Sequence, residues 1–410
     1  MKKESSKNFK GNLFNINLFM NTLKNSFLLY ITLFFFSCNS SVHKNRESYE
    51  LRATDEYLKF PLNSKTSLLI KAICPFLDDG TEYLTFQNNM ESEILVYNMK
   101  KQTYVRTISF DREGPNGIGW FGGYYIKGWN EIYLPDMMRS EINIVNSDGR
   151  LLRTISYAET VQGKKTIPFT SLTSTYTPMV FIGHQLYIPQ TINLMYGSKA
   201  LEDSPVTVVL DTLTYKLKEL PFRFPKIMSL EDVKNKSLGS EYSYSRCFDG
   251  KNFIYSFFFD ENIYITPPSH KRIDKIAVKS RYINELKFVD RTPDNLNLVA
   301  KALSELPFYS NLIYDKYRNV YYRFVFPKVE LPTNEKNYAE IWQMGRTKFS
   351  IIILNDQFEV IGETLFPENV YASTQYFIRK DGLYLSTSFP KNPNFDENTL
   401  SFQRIELVKL

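Results

Sequence analysis

A six-bladed β-propeller of the all-β class, its last blade closed by an N-terminal strand, is the fold this sequence predicts, and three observations carry it. From residue 50 onward, short β-rich runs alternate with turn residues. Aromatic content is 15%, with 28 tyrosines and 32 phenylalanines against 3 tryptophans, and such residues suit half-buried pleated surfaces. The runs group into about six units of roughly 60 residues, a period that marks a propeller. A two-sheet sandwich is the main rival, but roughly 350 residues would need two of them, and no linker-like break in composition separates halves.

The first element is an export signal over residues 1–37. Phe27 to Phe36 carries no charge, and Lys2, Lys3, Lys7, Lys10 and Lys24 precede it as a basic flank. The run is too short to span a bilayer, which takes about 20 apolar residues. Leu33-Phe34-Phe35-Phe36-Ser37-Cys38 offers a small residue before a cysteine, which predicts cleavage before Cys38 and lipidation there; the bland reading is an ordinary secretory signal. Met20 to Ser37 alone contains a complete signal, so Met20 is a second candidate start. Two or three acyl chains, at about 0.8 kcal/mol per buried CH₂, would anchor the mature chain without a spanning helix. Asn39-Ser40-Ser41 lacks the aspartate associated with inner-membrane retention, which favours the periplasmic face of the outer membrane of a Gram-negative envelope over surface display. Residues 38–50 then read as a lipidated linker and residues 51–410 as the propeller domain.

Removing the leader takes the net charge from +6 to about +2, and the remaining Lys and Arg are interspersed with Asp and Glu. Nucleic acid is therefore not an expected partner.

Within the body, blade one is expected from Ser67 to Phe110, blade two from Gly123 to Tyr157 and blade three from Pro178 to Leu220. Blades four, five and six follow at Tyr244–Val278, Tyr309–Glu363 and Tyr376 to the end. The clearest hairpins turn through Asn146-Ser147-Asp148-Gly149, Asp211-Thr212-Leu213-Thr214 and Asn355-Asp356-Gln357, where Asn and Asp favour the turn by local hydrogen bonding. Blade six is short of its outer strand, and Tyr57-Leu58-Lys59-Phe60-Pro61 has no blade of its own, so it is expected to supply that strand and leave no free edge. Arg291 to Leu306 is the exception. Thr292-Pro293-Asp294 resembles a helix start, and leucines and a valine recur near helical spacing, predicting one short helix inserted between blades four and five. Cys74 and Cys247 fall in blades one and four, on opposite sides of a ring, so no disulfide is expected.

The sharpest local signal is Phe110-Asp111-Arg112-Glu113-Gly114-Pro115-Asn116-Gly117-Ile118-Gly119-Trp120. Together with the lipidation signal, the aromatic repeat units and the length, it resembles domain-of-unknown-function family 4221, lipoproteins akin to six-bladed propellers of Gram-negative gut and environmental bacteria. The resemblance runs over nearly the whole mature chain, with Glu113-Gly114-Pro115-Asn116-Gly117 as its specific element. It implies fold and anchoring; the family supplies no catalytic residues to carry over.

Physically, the glycines and Pro115 make a tight corner between neighbouring sheets, which any propeller requires. The functional reading places Arg112, Glu113, Asn116 and Trp120 at the rim of the channel, on the face where inter-blade crossings and middle-hairpin loops gather. On the same face the sequence puts the loops 136–139, with Arg139, 190–205, 327–348 and 387–398. The third of these carries Trp342 and Arg346 beside Glu340, a composition suited to stacking on a sugar or peptide; alternatively Trp342 pins the loop to the body.

Enzyme signatures are sparse. His43, His184 and His270 stand far apart and read as surface or loop residues, with no paired spacing for zinc. Neither a Gly-x-Ser-x-Gly elbow nor a phosphate loop occurs. The sequence therefore points to a lipid-anchored binding module for a glycan, a peptide or an envelope protein, with no catalytic or metal-ligating residues assigned and no cofactor. The alternative is a periplasmic hydrolase or lyase acting on a glycan or lactone, with calcium held by carboxylates such as Glu113 and Asp136.

Overall fold

A computed structural model describes residues 48–88, 92–136, 138–166, 173–191, 204–335 and 337–410. The export signal, Cys38, most of the linker and most of the loop 190–205 lie outside the described residues.

Six antiparallel sheets of four strands each are arranged in a ring. β1 (Tyr49–Pro61) opens the chain. Blade one is β2 (Lys71–Asp78), β3 (Thr81–Asn88), β4 (Glu93–Asn98) and β5 (Thr103–Ser109), and blade two is β6 (Tyr125–Gly128), β7 (Glu131–Pro135), β8 (Glu141–Val145) and β9 (Leu151–Ser156). Blade three is β10 (Val180–Ile182), β11 (Gln185–Pro189), β12 (Thr207–Asp211) and β13 (Leu217–Glu219). Blade four is β14 (Tyr244–Phe248), β15 (Phe253–Phe257), β16 (Asn262–Thr266) and β17 (Asp274–Ala277). Blade five is β18 (Phe308–Asp315), β19 (Val320–Phe326), β20 (Ser350–Leu354) and β21 (Val360–Leu365). Blade six holds β22 (Ala372–Arg379), β23 (Gly382–Ser386) and β24 (Thr399–Lys409), with β1 as its outer strand.

The closing strand is longer than the five residues expected. It pairs with β24 from Tyr49 opposite Lys409 to Pro61 opposite Thr399, with a bulge between Ala53 and Tyr57. Three short helices occur among the described residues where one was expected: α1 (Leu230–Lys236), α2 (Leu296–Glu305) and α3 (Tyr338–Met344). The predicted helix is α2, but its cap is Asn295, whose side chain accepts from the Leu298 amide, and not the Thr292-Pro293-Asp294 turn. The other two helices are single or double turns whose periodicity is too short to read.

Strands alternate in direction, so turns after the first and third strands of every blade share one face, called here the hairpin face. Turns after second strands and the crossings between blades share the other, the crossing face. Because β1 is a fourth strand, it starts on the hairpin face, and the chain's last residue ends there too, the Leu410 amide donating to the Ser48 carbonyl at 2.8 Å.

The core lies between blades. Each neighbouring pair encloses its own apolar cluster, such as Ile94, Val96 and Ile132 between blades one and two, or Tyr187, Tyr244, Phe253 and Phe257 between three and four. That is why strands buried on both faces read as continuous apolar runs, as in Ile351-Ile352-Ile353-Leu354, all at 0% exposure.

Polar chains cross the same interfaces. The Arg246 guanidinium donates to Thr207 Oγ1 at 2.6 Å, Thr207 Oγ1 lies 2.7 Å from Tyr255 Oη, and Tyr255 Oη lies 2.6 Å from His270 Nε2. Since His270 Nδ1 faces the Pro268 carbonyl at 3.1 Å, the bond directions assign a neutral imidazole with its proton on Nδ1. Contrary to the surface reading of this histidine, it is fully buried. Burial lowers its pKa to about 4, the nearby Arg246 charge acting in the same direction and the Pro268 bond against it. The unfolded chain therefore takes up a proton below about pH 6.5 that the folded chain refuses until about pH 4, so stability is lost as pH falls through that window. The loss expected between pH 7 and pH 4.5 is about 2–3 kcal/mol. Urea titrations of the wild type and His270→Gln at the two pH values check this, and identical pH dependence in both proteins would contradict it.

Candidate functional site

Each innermost strand is paired on one side only, so its other edge faces the axis of the ring. Blade three uses only three residues for its innermost strand, and the chain just before it turns inward. Thr175 Oγ1 donates to the Ile73 carbonyl of blade one at 3.2 Å, while the Tyr176 carbonyl accepts from the Arg246 amide and Ser245 Oγ of blade four, both at 2.8 Å. Blades one and four are opposite in a ring of six, so residues 175 and 176 bridge the channel. Thr173 fixes the segment at its start by donating its amide to the Gly122 carbonyl at 2.8 Å. Gly123 is required beside it, since it holds φ +83° and a Cβ there would lie 1.5 Å from the Thr173 carbonyl oxygen.

On the hairpin-face side of this bridge lies a cavity of about 1080 Å³, walled by β2, β6, β18 and β22 and ended by residues 173–175 and Pro178. Its mouth is formed by first-hairpin turns: Leu77 and Gly80 of blade one, Lys316 and Tyr317 of blade five, Lys380 and Asp381 of blade six. Charged side chains tie those turns together. Arg379 meets Glu82 at 2.8 Å and Asp381 at 3.4 Å, and Arg318 reaches the Lys380 carbonyl at 3.1 Å. Inside, Cys74 has its thiol pKa pushed up to about 11 by burial, which keeps it protonated and a poor nucleophile at neutral pH. Both Cys74 and Cys247 are free. Among the described residues no three His, Cys, Asp or Glu side chains gather as a metal site. Strand edges, aliphatic side chains and a charged rim can hold a ligand by hydrogen bonds and burial.

The residues singled out from sequence lie on the crossing face, in two groups. Arg112, Glu113, Asn116 and Trp120 sit in the corner between β5 and β6. The guanidinium of Arg112 stacks on Trp120, 3.7 Å from the ring centroid, and donates to Ser92 Oγ at 2.7 Å. Glu113 and Asn116 are exposed, and Trp120 is 52% exposed. Gly114 and Gly119 take positive φ as expected, whereas Gly117 does not. Arg139 joins this group, 3.7 Å from Asp136 and 3.4 Å from Glu141. Asp136 itself is buried and accepts the Met138 and Arg139 amides, which makes it the cap of its own turn and not a free carboxylate.

Trp342 and Arg346 lie across the ring, on the insertion of blade five. Trp342, on α3, is 41% exposed. Arg346 departs from the expected surface position: it is 1% exposed, and its guanidinium donates to the carbonyls of Leu303, Leu306 and Pro327, locking α2 to the insertion that carries α3. With every hydrogen-bonding nitrogen but Nε already committed, it is a structural pin and not a ligand contact.

What sequence reading missed is the axial cavity. Lys316, Tyr317 and Lys380 sit in tight turns like those of any blade, and only the run Thr173-Ser174-Thr175-Tyr176-Thr177, polar where an inner strand should begin, signalled something unusual.

The model of the family described as Domain of unknown function (DUF4221) matches residues 48–365. A member of that family from Bacteroides vulgatus ATCC 8482, known as a crystal structure, is 28% identical with a TM-score of 0.77, over 89% of this chain and 100% of its own. A Bacteroides fragilis NCTC 9343 protein named as exported is 15% identical with a TM-score of 0.48, over 87% and 98% of the two chains. Virginiamycin B lyase from Staphylococcus aureus is 10% identical with a TM-score of 0.40, over 87% and 99%. The last two likenesses are too distant to inform function. No curated protein matches the chain.

Proposed function

The chain belongs to the DUF4221 family, and from that premise we propose that it is a lipid-anchored envelope protein whose propeller binds a ligand in its axial cavity without transforming it. The observation that carries the reading is the cavity itself: about 1080 Å³, closed at one end by the bridge at residues 173–178 and open at the other. The bridge ties blades one and four together without filling the channel, and the space it leaves is large enough for a ligand. The anchoring part of the proposal rests on the cysteine after Leu33–Ser37, and among the described residues no helix is long and apolar enough to cross a membrane. Asn39-Ser40-Ser41, without the aspartate of inner-membrane retention, supports residence on the periplasmic face of the outer membrane over surface display. A hydrolase or lyase has less support, since Glu113 stands on the face away from the cavity and Asp136 is spent on its own turn.

Two measurements test the proposal. Cys38→Ala is expected to move the protein from the membrane pellet to the soluble fraction and to abolish labelling by a palmitate analogue; unchanged fractionation would refute the anchor. Ligands that raise the melting temperature are expected to slow hydrogen exchange in residues 72–77 and 376–379. Slowing confined to the Arg112–Trp120 corner would move the site to the crossing face and refute the cavity.

A further inference from the structure

We infer that the occupant of the axial cavity is an extended peptide segment with an acidic residue at its outer end; the inference rests on the reading of that cavity as the binding site. Its walls decide the chemistry. They are the free edges of innermost strands, which present backbone N–H and C=O groups toward the axis. A purely apolar occupant would strip water from those groups and return nothing, at about 1–3 kcal/mol for each one left unpaired. The occupant must therefore bring donors and acceptors at strand spacing, which is how a peptide adds to a sheet edge.

The molecule already accepts such a chain once. Residues 175 and 176 lie against the inner edges of blades one and four, with the Tyr176 carbonyl taking the Arg246 amide as a neighbouring strand would. Between the strand edges, Ile126, Ile313 and Ile378 offer apolar surface for every second side chain of an extended segment.

The turns of blades five and six set the sign of charge on their side of the mouth, while the blade-one turn carries Asp78 and Asp79. Glu82 and Asp381 are both paired with Arg379, whereas among the described residues neither Lys316 nor Lys380 meets a carboxylate within 4 Å. These two ammonium groups, that of Lys316 lying over the Tyr317 ring 5.1 Å from its centroid, together with the exposed Leu77 and Tyr317, at 69% and 48%, suit an acidic residue followed by an apolar one.

The test measures hydrogen exchange of the mature chain with three probes. The first is a pool of acetylated hexapeptides of the pattern acidic-apolar-Thr-apolar-Thr-apolar, the second the same pool with lysine replacing the acidic residue, the third a panel of linear hexasaccharides. The acidic pool is expected to slow exchange at least tenfold in residues 72–77 or 376–379, with the lysine pool at least tenfold weaker. The double substitution Lys316→Glu, Lys380→Glu, on exposed turns, should reverse that preference. Equal binding of both peptide pools, or indifference to the double substitution, overturns the inference. Protection of the same strands by hexasaccharides alone also overturns it while leaving the cavity as a site. Protection of neither segment by any probe removes the cavity reading together with it.

Discussion

A chain beginning at Leu62, lacking β1, should lose its closed ring and aggregate on expression. β1 contributes more than a fourth strand to blade six. Phe60, at 0% exposure, packs edge-on against Phe402 of its own blade and Tyr97 of blade one, at 6.2 and 5.6 Å between centroids. The hydroxyl of Tyr97 donates to the Pro61 carbonyl at 2.8 Å, and on the other side the Leu51 amide donates to Thr364 of blade five at 2.8 Å. Removing the strand breaks contacts with both neighbours and leaves β24 as a naked edge of 11 residues. Each fully buried large side chain lost is worth about 1.5–3 kcal/mol, and with the ladder gone as well the total rivals the roughly 5–15 kcal/mol that holds a typical domain together. Solubility and circular dichroism of the truncated chain, with and without a synthetic peptide of residues 48–61, check this. A soluble truncation with an unchanged urea midpoint would refute it, and rescue by the peptide would show that closure itself is at stake.

The second large effect is expected at Arg323. This side chain is fully buried in β19 and faces no carboxylate partner; its guanidinium instead donates to Ser256 Oγ at 2.9 Å and to the carbonyls of Asp260, Glu261 and Val278 at 2.6 to 2.8 Å. It lies over the Tyr309 ring, 3.7 Å from the centroid. Burial lowers its pKa to about 10, so it remains cationic at neutral pH. Arg323→Ala leaves the Asp260 and Val278 carbonyls and the Ser256 hydroxyl of blade four without a donor, the Glu261 carbonyl keeping the Val278 amide, and a loss of about 3–5 kcal/mol is expected. Arg323→Lys should recover less than half of that, because one ammonium cannot reproduce a planar fork. Urea denaturation at constant slope measures both; a loss under 1 kcal/mol for the alanine variant would show that the fork is dispensable.

The two arginines on β14 and β19 also mark where sequence reasoning ended. Six blades, their hairpins and the closing strand were legible because strand periodicity and Asn/Asp turns are local properties. The candidate site was not legible, for two reasons. Arg112 and Trp120 stack together on a corner, but a corner is demanded by chain reversal whether or not it binds anything. Arg346 read as a ligand contact because its loop carries aromatics and a carboxylate, whereas its guanidinium is spent on the carbonyls of Leu303, Leu306 and Pro327, 19 to 43 residues earlier. The cavity depends on which blades a short polar segment reaches across the axis, and no spacing along the chain encodes that distance.

The start of β1 on the hairpin face, the face on which the cavity opens, has a geometric outcome if Cys38 carries acyl chains. Nine residues, 39–47, separate that cysteine from Ser48, a leash of at most about 35 Å when taut. The start of β1 would then stand no farther than that from the lipid, so whatever enters by the same face does its docking within a few nanometres of a membrane.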